Sequence, residues 1–244
     1  MRLVHYPPLD TPKQIAPGIY IVDSTMSGLL GRVLPVRMTV IGLPDGTLLL
    51  HSPTRYTPRL AATLQRIGPI RHLAAPSFAH WTMVKPWQQA LPDAITWAAP
   101  GLRKRRQVRR NGLRLDRDLG PEAPPEWGDA IALKTIPGAG GFREVALLHR
   151  PSRTLVLTDL VVNLEPQKVP PIVLPLTRLF GSLAPDGMAP PYLRFIVRCR
   201  KAEAKAAVRE LLQWAPERVV FSHGRWFEQD AAQRLGRSMR WLLA

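Results

Sequence analysis

An apolar run of strand length encloses one carboxylate, and this combination constrains the fold more than any other stretch of the chain. Residues 153–164 read RTLVLTDLVVNL, and the β-branched residues around Asp159 are typical of a buried strand. An ionised carboxylate in such surroundings is costly unless it is hydrogen-bonded, paired with a positive charge or bound to a cation. We therefore predict a buried strand with Asp159 at its end, where a partner group meets it.

The composition is that of an ordinary globular protein, but the charge is not. The 244 residues are 45% hydrophobic and 21% charged, with one cysteine, Cys199. We expect one domain over residues 1–244, with no disulfide framework, no membrane span and a cytoplasmic location. The 34 Lys and Arg against 18 Asp and Glu give a formal net charge of +16, which favours anionic partners.

Strand patterns and helix patterns alternate along the chain. Short apolar runs with an Asp-Gly hairpin signal at residues 43–46 fill the first half, and residues 165–192 are proline-rich, as in a long surface loop or lid. Helices are predicted at Thr57–Ile67, with Thr57 as N-cap, at 85–94, at Ala202–Trp214 and at Gln229–Leu243. This order predicts an α/β or α+β sandwich, with two sheets face to face and helices outside.

Three predicted strands lead into loops that carry metal-ligating side chains. The loops offer His80 in APSFAHWTM, Asp159 in the opening run, and His223 in VVFSHGRW. Sites gather at the C-terminal ends of strands in such folds. Two imidazoles and a carboxylate form a ligand set suited to Zn²⁺ or Fe²⁺.

The order of RTLVLTDLV, a long loop, a helix and VVFSHG resembles the metallo-β-lactamase fold superfamily. In that family an aspartate in the place of Asp159 bridges two metal ions, and a histidine in the place of His223 is the last ligand. The resemblance runs from about residue 18 to the C-terminus and is closest to a divergent branch, the domain of unknown function 4336 family. It implies an α/β fold, the four-layer αββα sandwich of the metallo-β-lactamase type.

Three segments depart from the pattern of that family. Residues 77–82 read Ser-Phe-Ala-His-Trp-Thr where the family has His-x-His-x-Asp-His. His51 and Pro53 stand in place of an Asp-x-Gly pair, and Ala139 stands where a metal histidine belongs. A two-metal site needs about five or six protein ligands. The usual binuclear centre is therefore not expected.

The resemblance, with its losses, implies an eroded site for one Zn or Fe ion. His80, Asp159 and His223 are the predicted ligands, and Glu144 is either a fourth ligand or a nearby base. A water on the ion would attack an ester, amide or phosphodiester, with Arg225 orienting an anionic small-molecule substrate. The alternative is that no metal binds, because Asp159 pairs with an arginine or hydrogen-bonds His223, and His80 is a packed core residue.

A basic block at residues 103–110 leaves a second function open. It holds six cations in eight positions, which either grip phosphates or form a solvated surface. No aromatic residue interleaves with the block, so stacking on bases is not supported. The competing hypothesis is thus a catalytically inactive binding module whose basic surface holds an anionic partner such as nucleic acid; no oligomeric state is predicted.

Overall fold

Strands buried on both faces define the centre of the protein in the computed structural model, which describes residues 5–27 and 33–244. In strand β4 (Leu48–His51) all four side chains are buried. Leu48 and Leu50 belong to one apolar cluster, whereas Leu49 belongs to another. Successive residues of a strand face opposite sides of the sheet. The cluster of Leu49 also holds Leu147 of a second sheet, so this cluster lies between the two sheets.

The first sheet pairs its strands in chain order. Its members are β1 (Pro12–Ala16), β2 (Ile19–Ser27), β3 (Val33–Gly42), β4 (Leu48–His51), β5 (Ile70–Ala75), β6 (Ile95–Ala98) and β7 (Arg117–Asp118). Strands β1 to β4 are antiparallel neighbours, and β4 to β7 are parallel. The helices α1 (Pro58–Gln65), α2 (Val84–Ala90) and α3 (Arg106–Asn111) pack on the cluster of Leu48.

Two local signals in this half are confirmed. The hairpin between β3 and β4 turns where the Asp-Gly pair predicts it, with the Gly46 N–H donating to the Leu43 carbonyl at 3.0 Å. Helix α1 begins after Thr57, whose Oγ1 accepts from the Leu60 N–H at 3.1 Å. Both signals are local, because the hydrogen-bond partners lie within three residues of each other.

The second sheet has the order β12-β10-β9-β8. These strands are β8 (Ile131–Pro137), β9 (Arg143–His149), β10 (Thr154–Val156) and β12 (Arg218–Val220), and a small parallel pair joins β11 (Val162–Asn163) to β13 (His223–Gly224). Its outer face is covered by α5 (Pro191–Arg198), α6 (Lys201–Gln213), α7 (Ala231–Ser238) and α8 (Arg240–Leu243). The layers are therefore helices, sheet, sheet and helices, which is the predicted αββα sandwich.

The apolar run 153–164 was expected to form one strand, but it forms two. Strand β10 ends at Val156, and the Leu157 N–H still donates to the Val220 carbonyl of β12 at 2.8 Å. Beyond this point the N–H groups of residues 158–160 donate to the Glu144 carboxylate and not to a strand. Asp159 therefore lies in a buried turn between β10 and β11.

Two further predictions need correction. The proline-rich segment 165–192, which was predicted to be a loop, contains a helix, α4 (Leu174–Leu179). Pro175 is compatible with this helix because it stands in the first turn, where the backbone N–H has no partner within the helix. The C-terminal helix is divided at Met239 into α7 and α8. No helix among residues 5–27 and 33–244 has both the length and the apolar character to cross a membrane.

Gly224 tests the junction between the small parallel pair and the site. Its φ is +97°, and a Cβ there would lie 2.2 Å from the Asn163 carbonyl oxygen. We expect Gly224→Ala to lower the free energy of unfolding by about 2 kcal/mol or more, through strain and overlap with backbone. Chemical denaturation measures the change.

Gly236→Ala is the matched control for this substitution. Gly236 lies inside α7, and the nearest atom to an added Cβ is the Leu212 Cδ2 at 3.9 Å. The free energy of unfolding of this variant should rise by about 0.5–1 kcal/mol, because alanine loses less backbone entropy than glycine when a helix forms. A Gly224→Ala protein as stable as the wild type would contradict the proposed constraint.

Candidate metal site

His80, Asp159 and His223 meet at one point. The Asp159 Oδ1 lies 3.0 Å from the His80 Nε2 and 3.2 Å from the His223 Nε2. One ligand atom from each of the three residues lies within 4.8 Å of the other two. The three residues line a cavity of about 290 Å³. The structure thus brings together all three predicted ligands, although His80 and Asp159 are 79 positions apart in the chain and Asp159 and His223 are 64 positions apart.

Asp159 is buried in its turn between β10 and β11, with 7% of its surface exposed. Burial raises the pKa of its carboxyl, but the charge of His80 and hydrogen bonds with both imidazoles outweigh burial and hold that pKa below its ordinary value. The carboxylate is therefore ionised, and it needs a positive charge beside it.

His223 is oriented by the backbone on its far side. Its Nδ1 lies 2.7 Å from the Pro35 carbonyl oxygen, which can only accept, so Nδ1 carries a proton. In the neutral ring the Nε2 then presents a lone pair to the Asp159 oxygen. Two acceptors at 3.2 Å repel each other, so this arrangement requires either a second proton on the ring or a cation between the two groups.

The segment that carries His223 is held by a buried arginine of the first sheet. Arg37, on β3, donates through one guanidinium nitrogen to the carbonyls of Phe221, at 3.0 Å, and Gly224, at 2.8 Å. Its other terminal nitrogen pairs with the Asp23 Oδ1 at 2.7 Å. This guanidinium therefore fixes the backbone on both sides of the imidazole.

His80 is held by Ser52, a residue that the sequence did not single out. The His80 Nδ1 lies 2.6 Å from the Ser52 Oγ, on the side of the ring away from Asp159. Burial lowers the pKa of His80, but the charge and hydrogen bond of Asp159 outweigh it, and the pKa is raised. The only sequence signal for Ser52 was its place between His51 and Pro53, in the segment that replaces the Asp-x-Gly pair of the family.

Glu144 supports the site from behind. It is fully buried, its Oε1 accepts from the N–H groups of Thr158 and Leu160, and its Oε2 accepts from the N–H of Asp159. Burial and the charge of Asp159 raise its pKa to about 7, while these N–H donors oppose the shift. Both oxygens are thus engaged by backbone, and Glu144 is not one of the three residues that converge on a common point.

Arg225 is not brought to the site. Its exposed side chain lines a different cavity, of about 380 Å³, together with Tyr6, Asp23 and Glu165. The left-handed backbone at Gly224 ends the regular alternation of the strand, so Arg225 does not follow His223 into the same cavity.

Tyr192, at the start of α5, borders the site and was also missed. It lines the same cavity as His80, Asp159 and His223. Burial raises the pKa of its phenol, and the charges of Asp159 and Glu144 add to the effect. No sequence signal marks this tyrosine, because it lies in the proline-rich segment that was predicted to be a loop.

The basic block 103–110 forms a short 3₁₀ turn, Leu102–Lys104, and helix α3. Arg103 pairs with Asp118, at 2.9 Å, and Arg105 lies over the ring of Phe78, 4.5 Å from its centroid. Nucleic-acid binding by this block stays a prediction.

Several metallo-β-lactamases of known structure share this arrangement of layers. FIM-1 from Pseudomonas aeruginosa, in its mono-zinc form, is 14% identical with a TM-score of 0.62, and the match covers 95% of this chain and 94% of that one. The enzyme from Pontibacter korlensis is 13% identical with a TM-score of 0.64, over 95% and 98%. The enzyme from Hirschia baltica is 12% identical with a TM-score of 0.63, over 95% and 97%. The chain therefore has the metallo-β-lactamase fold.

Within this fold the family is also defined. The model of the family Domain of unknown function (DUF4336) matches residues 18–184, and the chain belongs to that family. No curated protein matches the chain.

Glu144→Gln separates a supporting role from the predicted role as a base. A glutamine side chain keeps one acceptor oxygen, but its NH2 group would face at least one of the backbone N–H groups of residues 158–160, so we expect the free energy of unfolding to fall by about 1–3 kcal/mol. The exposed Glu122 offers the control Glu122→Gln, which should be neutral. Denaturation curves measure both variants. Unchanged stability of Glu144→Gln would contradict the supporting role.

Proposed function

We propose that this protein is a mononuclear metal-dependent hydrolase that cleaves ester or phosphoester bonds of a small molecule. The observation that supports the proposal best is the convergence of His80, Asp159 and His223, with one ligand atom from each within 4.8 Å of the others. Two imidazole nitrogens and one carboxylate oxygen are a donor set suited to Zn²⁺ or Fe²⁺. Three protein ligands are typical of catalytic sites, where a fourth position is left for water or substrate.

The hydrogen bonds behind the ligands fit a metal ion. The proton on the His223 Nδ1, donated to the Pro35 carbonyl, leaves the Nε2 lone pair directed at the point where the three residues meet. Metal-bound histidines characteristically donate their other ring N–H in this way. A cation at that point also removes the repulsion between this lone pair and the Asp159 oxygen.

In such a site the ion would activate water, and the surrounding residues would hold its ligands in place. A bound ion would supply Lewis acidity and lower the pKa of its water toward neutrality. Glu144 holds the turn of Asp159, Ser52 orients His80, and the Pro35 carbonyl orients His223. The adjoining cavity of about 290 Å³ is of a size for part of a small molecule. The mono-zinc form of FIM-1 supports the idea that this fold holds a single ion.

A second candidate is a binding module without catalysis. It is favoured by the direct contacts of the Asp159 Oδ1 with both imidazoles, at 3.0 and 3.2 Å, because protonated histidines satisfy these contacts without an ion. In that case the net charge of +16 would serve an anionic partner. The two candidates differ in metal content.

We expect protein purified without chelator to carry up to one equivalent of Zn or Fe, measured by elemental analysis. Asp159→Ala should abolish the metal, because this carboxylate contacts both imidazoles. Asp129→Ala, at an exposed carboxylate, is the control and should keep it. Absence of metal in the wild type, together with a melting temperature that Zn²⁺ does not change, would favour the binding module.

Ser52→Ala tests the orientation of His80. Loss of the hydrogen bond to the Nδ1 should weaken Zn²⁺ affinity and lower kcat/KM for a chromogenic ester or phosphodiester by about tenfold or more. Ser24→Ala is a suitable control, because that buried hydroxyl has no hydrogen-bond partner among the described residues. Both variants are assayed by metal titration and by initial rates, with chelated wild type as the baseline. Equal behaviour of the two serine variants would contradict a role for Ser52.

A further inference from the structure

Of the residues that the structure describes, three cations and no carboxylate line a cavity near the candidate metal site. This cationic cavity has a volume of about 420 Å³ and is bordered by Lys104, Arg105, Arg143 and the ring of Phe78, with glycines and a proline completing its wall. Guanidinium groups gathered in a concave wall favour a phosphate, because their N–H groups match its oxygens in pairs.

No carboxylate in the described part of the chain neutralises the positive charge of the cavity. Among the described residues neither Lys104 nor Arg105 has a carboxylate partner, whereas the adjacent Arg103 is paired with Asp118. The half-buried guanidinium of Arg105 is held over the ring of Phe78, 4.5 Å from its centroid. Arg143 donates through one nitrogen to the carbonyls of Phe142 and Gly138, at 2.7 and 3.4 Å. Its remaining N–H groups are left for a ligand.

An apolar cavity of about 380 Å³, here called the apolar passage, shares lining residues with both the cationic cavity and the cavity of the candidate metal site. Phe78 and Arg105 line both the passage and the cationic cavity. Asp159 and Tyr192 line both the passage and the cavity that contains His80 and His223. Between these ends the wall is apolar, formed by Phe142, Leu193 and Ile196. The three cavities are therefore neighbours along one wall.

We propose that the cationic cavity binds a phosphate group at one end of a small substrate. The apolar or aromatic middle of this substrate lies in the passage, and its second, hydrolysed bond reaches His80, Asp159 and His223. The inference rests on the proposed function for the reaction, but anion binding itself requires no metal. The substrate class is thus a phosphorylated ester with an apolar segment between the phosphate and the bond that is cleaved.

The experiment measures the binding of phenyl phosphate and of inorganic phosphate to the full chain by calorimetry. The measurement uses the Asp159→Ala variant with chelator, so that no metal ion competes for the phosphate. Chelated wild type provides the same measurement in a protein without substitutions. Phenyl phosphate should bind more tightly than inorganic phosphate, because its ring enters the apolar passage beside Phe78.

The matched variants remove the same charge from two parts of the basic block. Lys104→Gln with Arg105→Gln should weaken phenyl phosphate binding by about tenfold or more, because charge-assisted hydrogen bonds to the phosphate are lost. Arg109→Gln with Arg110→Gln, at exposed positions outside the cavity, should change it by less than about twofold.

Two outcomes overturn the proposal. One is absence of binding in both the chelated wild type and the Asp159→Ala protein. The other is an equal loss in the two double variants, which would indicate a diffuse positive surface. Failure of the hydrolase proposal has a different signature: phenyl phosphate binds as expected, but no phosphorylated ester is cleaved by the metal-loaded protein.

Discussion

The candidate site depends on the hydrogen bonds between the buried Glu144 carboxylate and the backbone of the turn that carries Asp159. Glu144 stands near the start of β9 and takes up the N–H groups of that turn. The same stretch of β9 meets the segment before His80, through a bridge between Ser77 and Glu144 and a hydrogen bond from the Val145 N–H to the Pro76 carbonyl at 2.8 Å. Strand β9 therefore sets the position of the turn that carries Asp159, which follows a strand of the same sheet, and of the segment before His80, which follows a strand of the first sheet.

The features that sequence predicted are those set by short-range chemistry or by the ends of strands. The N-cap of α1 at Thr57 depends on partners three residues apart. The αββα layering was predicted from the order of strand and helix patterns and from the family resemblance. The approach of His80, Asp159 and His223 followed from three strand exits and from the family resemblance. The break in the run around Asp159 could not be predicted, because the acceptor that ends the strand, Glu144, comes from another strand. No sequence motif marks Ser52 or Tyr192. The separation of Arg225 from the site depends on the backbone conformation at Gly224, which the sequence pattern does not reveal.

The chemistry of the site is narrowed by the tautomer of one histidine. The Pro35 carbonyl commits the Nδ1 of His223 to a proton, so the opposite nitrogen faces a carboxylate and requires positive charge between them. A metal ion and a second proton both meet this requirement. The neighbouring cavities share lining residues from His80, Asp159 and His223, past apolar side chains, to Lys104 and Arg105.

Arg37 has a bearing on how this protein can evolve. Its guanidinium holds the segment around His223 only through main-chain carbonyls, those of Phe221 and Gly224, and its own charge is balanced by Asp23. A clamp that touches only main-chain atoms is indifferent to the side chains between them. An exchange of the residue at position 223 removes the bond to the Pro35 carbonyl but leaves both arginine hydrogen bonds in place, so that selection can vary this side chain while the arginine still holds its main chain.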